Sequence, residues 1–290
     1  MAKICIVDAG GWQHDTLTED LDLSYRAQLK GWKFLFLPAT RVPAELPPEI
    51  QAFKAQQYRW TKGGAQTCKK LLPTILRSPL SWKIKVEAFF HLTSNVVYFF
   101  VVLLSLLLFP VLFIKLHFFS DHLFIRILFD MSLLAIATVS ASTFYVCSQR
   151  EIHKSWWQSL KYLPAIMSLG VGIAINNALA MCHGFWGPPS EFVRTPKYGV
   201  EPQNNQYVQE LRPYTMAHKT HIQAWFELAM GIYLICCVVL LLSAKSFSLG
   251  IPFLFLFACG YLYVALSTLL APWLQKLNTR HMNIKTVSSN

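Results

Sequence analysis

The chain has 290 residues, 54% of them hydrophobic and 14% charged, and its mean hydropathy is +0.37. Soluble globular chains carry about 25% charged residues, so the composition excludes an ordinary soluble domain and points to a membrane protein. The formal net charge of +11 does not signal nucleic acid as a partner, because Lys and Arg cluster between apolar runs as they do in cytoplasmic loops.

The N-terminus, MAKICIVDAGGWQHDTLTED, has no apolar signal-peptide core. Ile4–Val7 reads as a short strand, followed by a turn at Gly10 and Gly11 and a helix. Thr18 stands before an acidic first turn, Glu19, Asp20 and Asp22, which suits a helix start by capping and by dipole. Leu23, Ala27 and Gln28 continue the helical period, and Gly31 suits the position just past the helix end. WKFLFL, 32–37, reads as a buried strand closed by Pro38. PAELPPE, 43–49, reads as a loop and 49–62 as a second helix. This α/β pattern over 1–70 is small for an independent core, so it is expected to be the back half of a larger domain or to pack on a partner.

Within the second helix, AQQYRWTKG at 55–63 puts Gln56 and Arg59 on one face, with Trp60 one turn beyond Gln56. Two readings stand at this point. One is an aromatic and cationic anchor at a membrane interface. The other is a site in which a guanidinium fork holds an anionic group joined to a ring.

LLPTILRSPLSWKIKVEAFF, 71–90, reads as an interfacial helix. Five apolar runs follow near 88–114, 123–147, 160–183, 225–244 and 249–273, each near the ~20 residues that span a bilayer. The basic segments 149–161 and 184–221 and the tail 276–290 all fall in the cytoplasm by the positive-inside rule. One crossing cannot separate two consecutive cytoplasmic segments. The run 160–183, weakened by Gly170, Gly172, Asn176 and Asn177, is therefore expected to be interfacial or re-entrant. That leaves two crossings within 88–183 and two within 222–275. Asp130 is the clear ionisable group in a run and is placed to pair with Arg126 at i,i+4. The seven cysteines include no C-x-x-C spacing, which excludes a recognisable zinc or dithiol motif. His218 and His221 have no carboxylate near in sequence, so no metal site is assigned.

Three motifs then fall in order on one predicted side of the membrane: TEDLD at 18–22, QQYRW at 56–60 and SEFVRTPKYG at 190–199. Together they resemble the membrane-embedded family 2 glycosyltransferases, which include cellulose and hyaluronan synthases. GGWQHDTLTEDLDLSYRAQLKGWKFLFLP followed by AQQYRW is most similar to the cellulose-synthase-like mannan and glucan synthases and their bacterial relatives. The resemblance runs from about residue 4 to the last apolar run. It implies a multi-pass α-helical membrane protein carrying the C-terminal part of a cytoplasmic α/β GT-A domain.

The resemblance also implies roles. Asp20 is the general base toward the acceptor hydroxyl, with Glu19 in support and Asp22 structural. Arg59 binds the donor pyrophosphate with Gln56 beside it, and Trp60 stacks on the acceptor sugar at the channel mouth. FVRTPK, 192–197, resembles the gating loop F-x-V-T-x-K, so 184–221 becomes a gating segment. Phe192, Thr195 and Lys197 match that loop and Arg194 replaces its valine. Thr195 and Lys197 are then expected near the donor phosphates. On the residues alone, TEDLD also reads as a favourable helix start and FVRTPK as an ordinary basic loop.

Members of the family carry an upstream half of the GT-A domain with a D-x-D motif that binds Mg²⁺ or Mn²⁺. Nothing here corresponds to it. Asp20-Leu21-Asp22 has that form but lies in the T-E-D helix and is not assigned metal. The chain is expected to start inside the domain, with the metal ligands of the intact enzyme outside it. The expected function is inverting transfer from a nucleotide-sugar donor to a growing β-linked glycan acceptor, coupled to export. The expected place is the lipid bilayer of a plasma or inner membrane, with 1–85, 149–161, 184–221 and the C-terminus cytoplasmic. The rival readings are a truncated, inactive glycosyltransferase paralogue and a multi-pass transporter or scaffold, which has no use for the three motifs.

Overall fold

The computed structural model describes residues 2–37, 40, 42, 44–47, 49–118, 123–152, 157–192, 218–243 and 250–287. Among these residues the chain is helical and contains no strand. It divides into two units, Met1–Phe99 with Asn176–Met216, and Phe100–Ile175 with Ala217–Asn290.

The first unit opens with α1 (Lys3–Asp8) and α2 (Glu19–Leu29). Ile4–Val7 is therefore helical, not a strand. Helical spacing puts Cys5 and Ala9 on one face, where they bury against Leu23 and Ala27 of α2. That contact outweighs the β preference of Ile and Val, which is weak without a neighbouring strand. Residues 32–37 are not a buried strand either: Leu35 and Phe36 are 83% and 85% exposed. A strand needs a ladder partner for its backbone groups, and none of the described residues supplies one.

The stop of α2 follows local rules. Gly31 has φ +88, its N–H reaches Gln28 O at 2.9 Å, and the Trp32 N–H reaches Ala27 O at 3.1 Å. This is a Schellman ending, which needs the left-handed conformation glycine tolerates. The start departs from expectation. Thr18 occupies the N-cap position but makes no side-chain cap bond; its Oγ1 meets Thr67 Oγ1 at 3.2 Å.

The second predicted helix is α3 (Ile50–Arg77), and it runs on through Gly63, Gly64 and Pro73. Its Cys68, Leu71 and Ile75 pack on Ala88 and Leu92 of α4 (Trp82–Thr93), with Leu21, Tyr25 and Leu29 of α2 against them. Residues 71–90 are thus two helices, not one. The break falls at Ser78, whose ψ is 162, because the residue before Pro79 is pushed out of the helical region. A 3-10 turn, Ser94–Val96, leads into α5 (Val97–Phe118).

The chain continues through α6 (Leu123–Ile152), α7 (Trp157–Leu160), α8 (Leu163–Gly172), α9 (Ala174–Trp186), α10 (His218–Ser243) and α11 (Ile251–Val287). In the second unit Leu234, Leu241, Leu254, Ala258 and Tyr261 form the core. A Cβ on Gly172 of α8 would lie 2.3 Å from Gly260 O of α11, so a glycine pair lets two helices touch, as is common in membranes. Pro110 lies inside α5 and has no N–H for the carbonyl of Leu106. The Tyr233 hydroxyl donates to that carbonyl at 2.8 Å and accepts the Phe109 N–H at 2.9 Å.

Among the described residues three helical segments are long and apolar enough to cross a membrane: Trp82–Val111, Ile222–Ser243 and Ile251–Trp273. A fourth arises if α8 and α9, bent by 49°, count together as one span. The run 160–183 thus breaks at Ile173, beside Gly172. The Arg126 and Asp130 side chains, and those of the tail, lie outside the described set.

Candidate functional site

The first unit holds a cavity of about 390 Å³, within the ~300–1,000 Å³ usual for small-ligand sites. Glu19 and Asp20 of α2, Arg59 and Trp60 of α3, His91 of α4 and Asn95 of the 3-10 turn line it, with Phe192. Two helices therefore bring Thr18, Glu19 and Asp20 of the T-E-D motif to the same cavity as Arg59 and Trp60 of the Q-x-x-R-W motif.

Small residues make that approach possible. A Cβ on Gly63 would lie 2.6 Å from Thr18 Cγ2 and 2.8 Å from the Thr18 backbone nitrogen. One on Gly64 would lie 2.8 Å from Asn95 Nδ2. The gap is bridged by polar bonds, since the Leu17 N–H donates to Gln66 Oε1 at 3.0 Å alongside the Thr18–Thr67 contact. Behind the wall, buried Asp22 pairs with Arg26 at 2.7 Å and Lys70 at 2.9 Å. Lys70 also reaches Asp15 at 2.8 Å, and its hydrogen bond and charge hold the Asp15 carboxyl below the usual range.

Asp20 is exposed at the first turn of α2, where the dipole favours a carboxylate, and its Oδ1 accepts the Leu21 N–H at 2.8 Å. Arg59 places its guanidinium 4.5 Å from the Phe192 ring centroid, a cation–π distance. Trp60 is 50% exposed and so offers ring surface to a ligand. His91 Nδ1 meets the Tyr25 hydroxyl at 2.7 Å; burial, then the charge of Glu87, pushes the Tyr25 phenol up. Gln56 does not line the cavity, and its Oε1 is buried with no hydrogen-bond partner among the described residues. Thr195 and Lys197, with Arg194, lie outside the described residues.

The segment that delivers Phe192 is tied to α3. Tyr58 bonds His183, Lys69 Nζ donates to Phe185 O at 2.7 Å, and Lys62 Nζ donates to Pro188 O at 3.0 Å and Ser190 Oγ at 2.9 Å. Burial pulls the Lys62 ammonium below the ordinary lysine range. Sequence reading singled out none of Gly63, Gly64, Gln66, Thr67, His91 and Asn95. The adjacent glycines inside a helical pattern were the available signal, since such glycines weaken a helix unless a close contact needs them.

A family model described as "Glycosyl transferase family group 2" matches residues 5–175. The chain belongs to this family. The "Probable glucomannan 4-beta-mannosyltransferase 15" of Arabidopsis thaliana is 27% identical over 281 residues, 88% of this chain and 43% of the relative. The "Glucomannan 4-beta-mannosyltransferase 1" of Oryza sativa subsp. japonica is 48% identical over 71 residues, 24% of this chain and 14% of the relative. The "Glucomannan 4-beta-mannosyltransferase 2" of Arabidopsis thaliana is 47% identical over 73 residues, 25% and 14% respectively. The family 2 chain thus spans less than half the length of the curated relatives it matches. No solved structure matches it.

The divalent metal implied by the family does not fit the described residues of this chain. Asp22, the second acid of Asp20-Leu21-Asp22, is fully buried and held by Arg26 and Lys70. Among the described residues no cluster of three His, Cys, Asp or Glu could hold an ion. No chemical step is therefore routed through a metal on this chain.

Proposed function

We propose that the chain carries the base and acceptor platform of an inverting glycosyl transfer. The donor is a nucleotide-sugar and the acceptor a β-linked hexose glycan, in keeping with the names of the relatives. Asp20 takes the proton of the acceptor hydroxyl. The hydroxyl oxygen attacks the anomeric carbon from the face opposite the diphosphate. The carbon–oxygen bond to the diphosphate breaks and its electron pair leaves with the diphosphate, which gives the β-linkage. Arg59, with Thr195 and Lys197, stabilises the departing charge. Trp60 stacks on the acceptor ring, and Glu19 supports Asp20. The catalytic unit faces the cytoplasm with 1–85, 149–161, 184–221 and the C-terminus, and the apolar helices carry the growing glycan outward.

The observation that supports this reading most is the common cavity of Asp20, Arg59 and Trp60. Transfer by Asp20→Asn, in the membrane-bound protein with whatever chain completes it, tests the reading. Turnover should fall by about 10²–10⁴-fold while nucleoside diphosphate binding stays. Undiminished turnover would remove Asp20 as the base.

A further inference from the structure

A second cavity of about 760 Å³ lies in the same unit and shares Leu17, Glu19 and Phe192 with the first. Loop residues 12–14, 16 and 17 wall one side of it, and Pro189–Phe192 wall another. The transfer step described above makes no use of it.

The loop is a built structure. Gly10 and Gly11, at φ +84 and +72, turn the chain in a conformation that other residues rarely adopt. Arg26 donates to the carbonyls of Ala9 and Gly11, the latter at 2.9 Å. Lys70 donates to Gln13 Oε1 at 2.6 Å. Held this way, Trp12 stands at the cavity with 58% of its surface exposed. An indole left in water beside a cavity is apolar surface that a ligand can cover.

Thr16 carries the argument further. It lines the same cavity, is only 6% exposed, and its Oγ1 has no hydrogen-bond partner among the described residues. A buried hydroxyl without a partner is costly, and a ligand hydroxyl would satisfy it. The charged wall indicates the kind of ligand. Glu19 and Glu191 line the cavity, and among the described residues no Lys or Arg does. Carboxylates accept hydrogen bonds from hydroxyls and repel phosphates. The ligand that suits an indole face, two carboxylates and a buried hydroxyl is a neutral ring bearing hydroxyls.

We propose that this second cavity is a sugar subsite. A neutral hexopyranose unit stacks on Trp12 and hydrogen-bonds to Thr16 Oγ1 and Glu191. The assignment of the ring as a hexose rests on the glycosyl-transfer reading. The shared wall at Glu19 and Phe192 makes the two cavities neighbouring positions for one oligosaccharide.

The test is calorimetric titration of the full chain in lipid nanodiscs with β-1,4-mannotetraose, and separately with UDP and GDP. Trp12→Ala should weaken tetraose binding by roughly tenfold, the effect of about 1.4 kcal/mol of aromatic contact. Thr16→Val should weaken it by about fivefold while the unliganded chain melts no lower, since an unpartnered hydroxyl is replaced by a methyl. That second variant keeps the test sound if Trp12→Ala fails to fold. Tetraose binding lost in Trp60→Ala but unchanged in Trp12→Ala and Thr16→Val overturns the subsite and leaves the catalytic reading standing. Binding sensitive to Trp12 and Thr16 but not to Trp60 keeps the subsite and removes Trp60 as the acceptor platform. UDP or GDP binding that depends on Trp12, with no tetraose binding, makes the cavity a nucleotide pocket and overturns the proposal.

Discussion

Thr18 and Gly63 are in such close contact that a Cβ on the glycine would lie 2.8 Å from the threonine backbone nitrogen. Backbone cannot swing aside as a flexible side chain does. The first turn of α2, and with it Asp20, is therefore seated against the helix that carries Arg59 and Trp60. Gly63→Ala gains about 0.8–1.0 kcal/mol of helix propensity but forces an overpacked contact that costs about 1–3 kcal/mol. The expected result is a net loss of stability and a larger loss of acceptor binding. Gly64→Ala meets only the Asn95 amide end, which can rotate, so its effect should be smaller on both thermal unfolding and binding. Equal effects would remove the seating role of Gly63.

Asp20 and Asp22 should separate cleanly by what their substitution damages. Asp22 has no exposed surface and neutralises Arg26 and Lys70. Asp22→Asn leaves two cations without their buried partner, which costs about 3–5 kcal/mol. The melting temperature should drop and activity should fall with the folded fraction. Asp20→Asn, on an exposed first turn, should lower melting only slightly, by the lost dipole interaction of about 0.3–1 kcal/mol, and cut transfer by about 10²–10⁴-fold. A stable Asp22→Asn protein with selectively lost metal-dependent turnover would give Asp22 the D-x-D role that its burial argues against.

These residues also mark what local sequence rules can reach. The acidic start of α2 and its glycine stop depend on neighbours within a turn or two, and both were readable; the face that was to join Gln56 to Arg59 was not, because Gln56 is turned out of the cavity that Arg59 lines. Ile4–Val7 was not, because the same apolar residues satisfy a strand or a short helix, and Leu23 and Ala27 decide between them. WKFLFL was misread because β preference says nothing about whether a partner strand is present. The seating of Thr18 on α3 was invisible, since Leu17 and Thr18 find Gln66 and Thr67 at 49 residues' separation. Thr16 and its cavity were likewise beyond any spacing rule, because burial without a partner is a property of the packed chain alone.

The Asp15–Lys70 pair gives a pH signature with a definite sign. The folded carboxyl titrates below its ordinary value of 3.8, so the pair stabilises the fold above that value. The contribution is lost as pH falls through the lower folded value. Asp15 is more than half exposed, so screening limits the effect to under ~1 kcal/mol. Asp15→Asn should lower stability slightly at pH 7 and in low salt, and the difference from the parent should vanish near pH 2. A difference that persists at pH 2 would assign the loss to packing and not to charge.

In the second unit, Tyr233 stands in for the helix bond that Pro110 removes. Its hydroxyl takes both the Leu106 carbonyl and the Phe109 N–H. In apolar surroundings the freed Leu106 carbonyl has no water to turn to. Tyr233→Phe alone should therefore destabilise the unit by about 1–2 kcal/mol. Pro110→Ala restores an N–H for the Leu106 carbonyl within α5, so Tyr233→Phe should cost less in that background. The expected coupling is about 0.5–1.5 kcal/mol, measured as a double-mutant cycle by denaturant unfolding in detergent micelles. Full additivity would mean that the tyrosine matters for its packing in the core, and that α5 accommodates the proline without it.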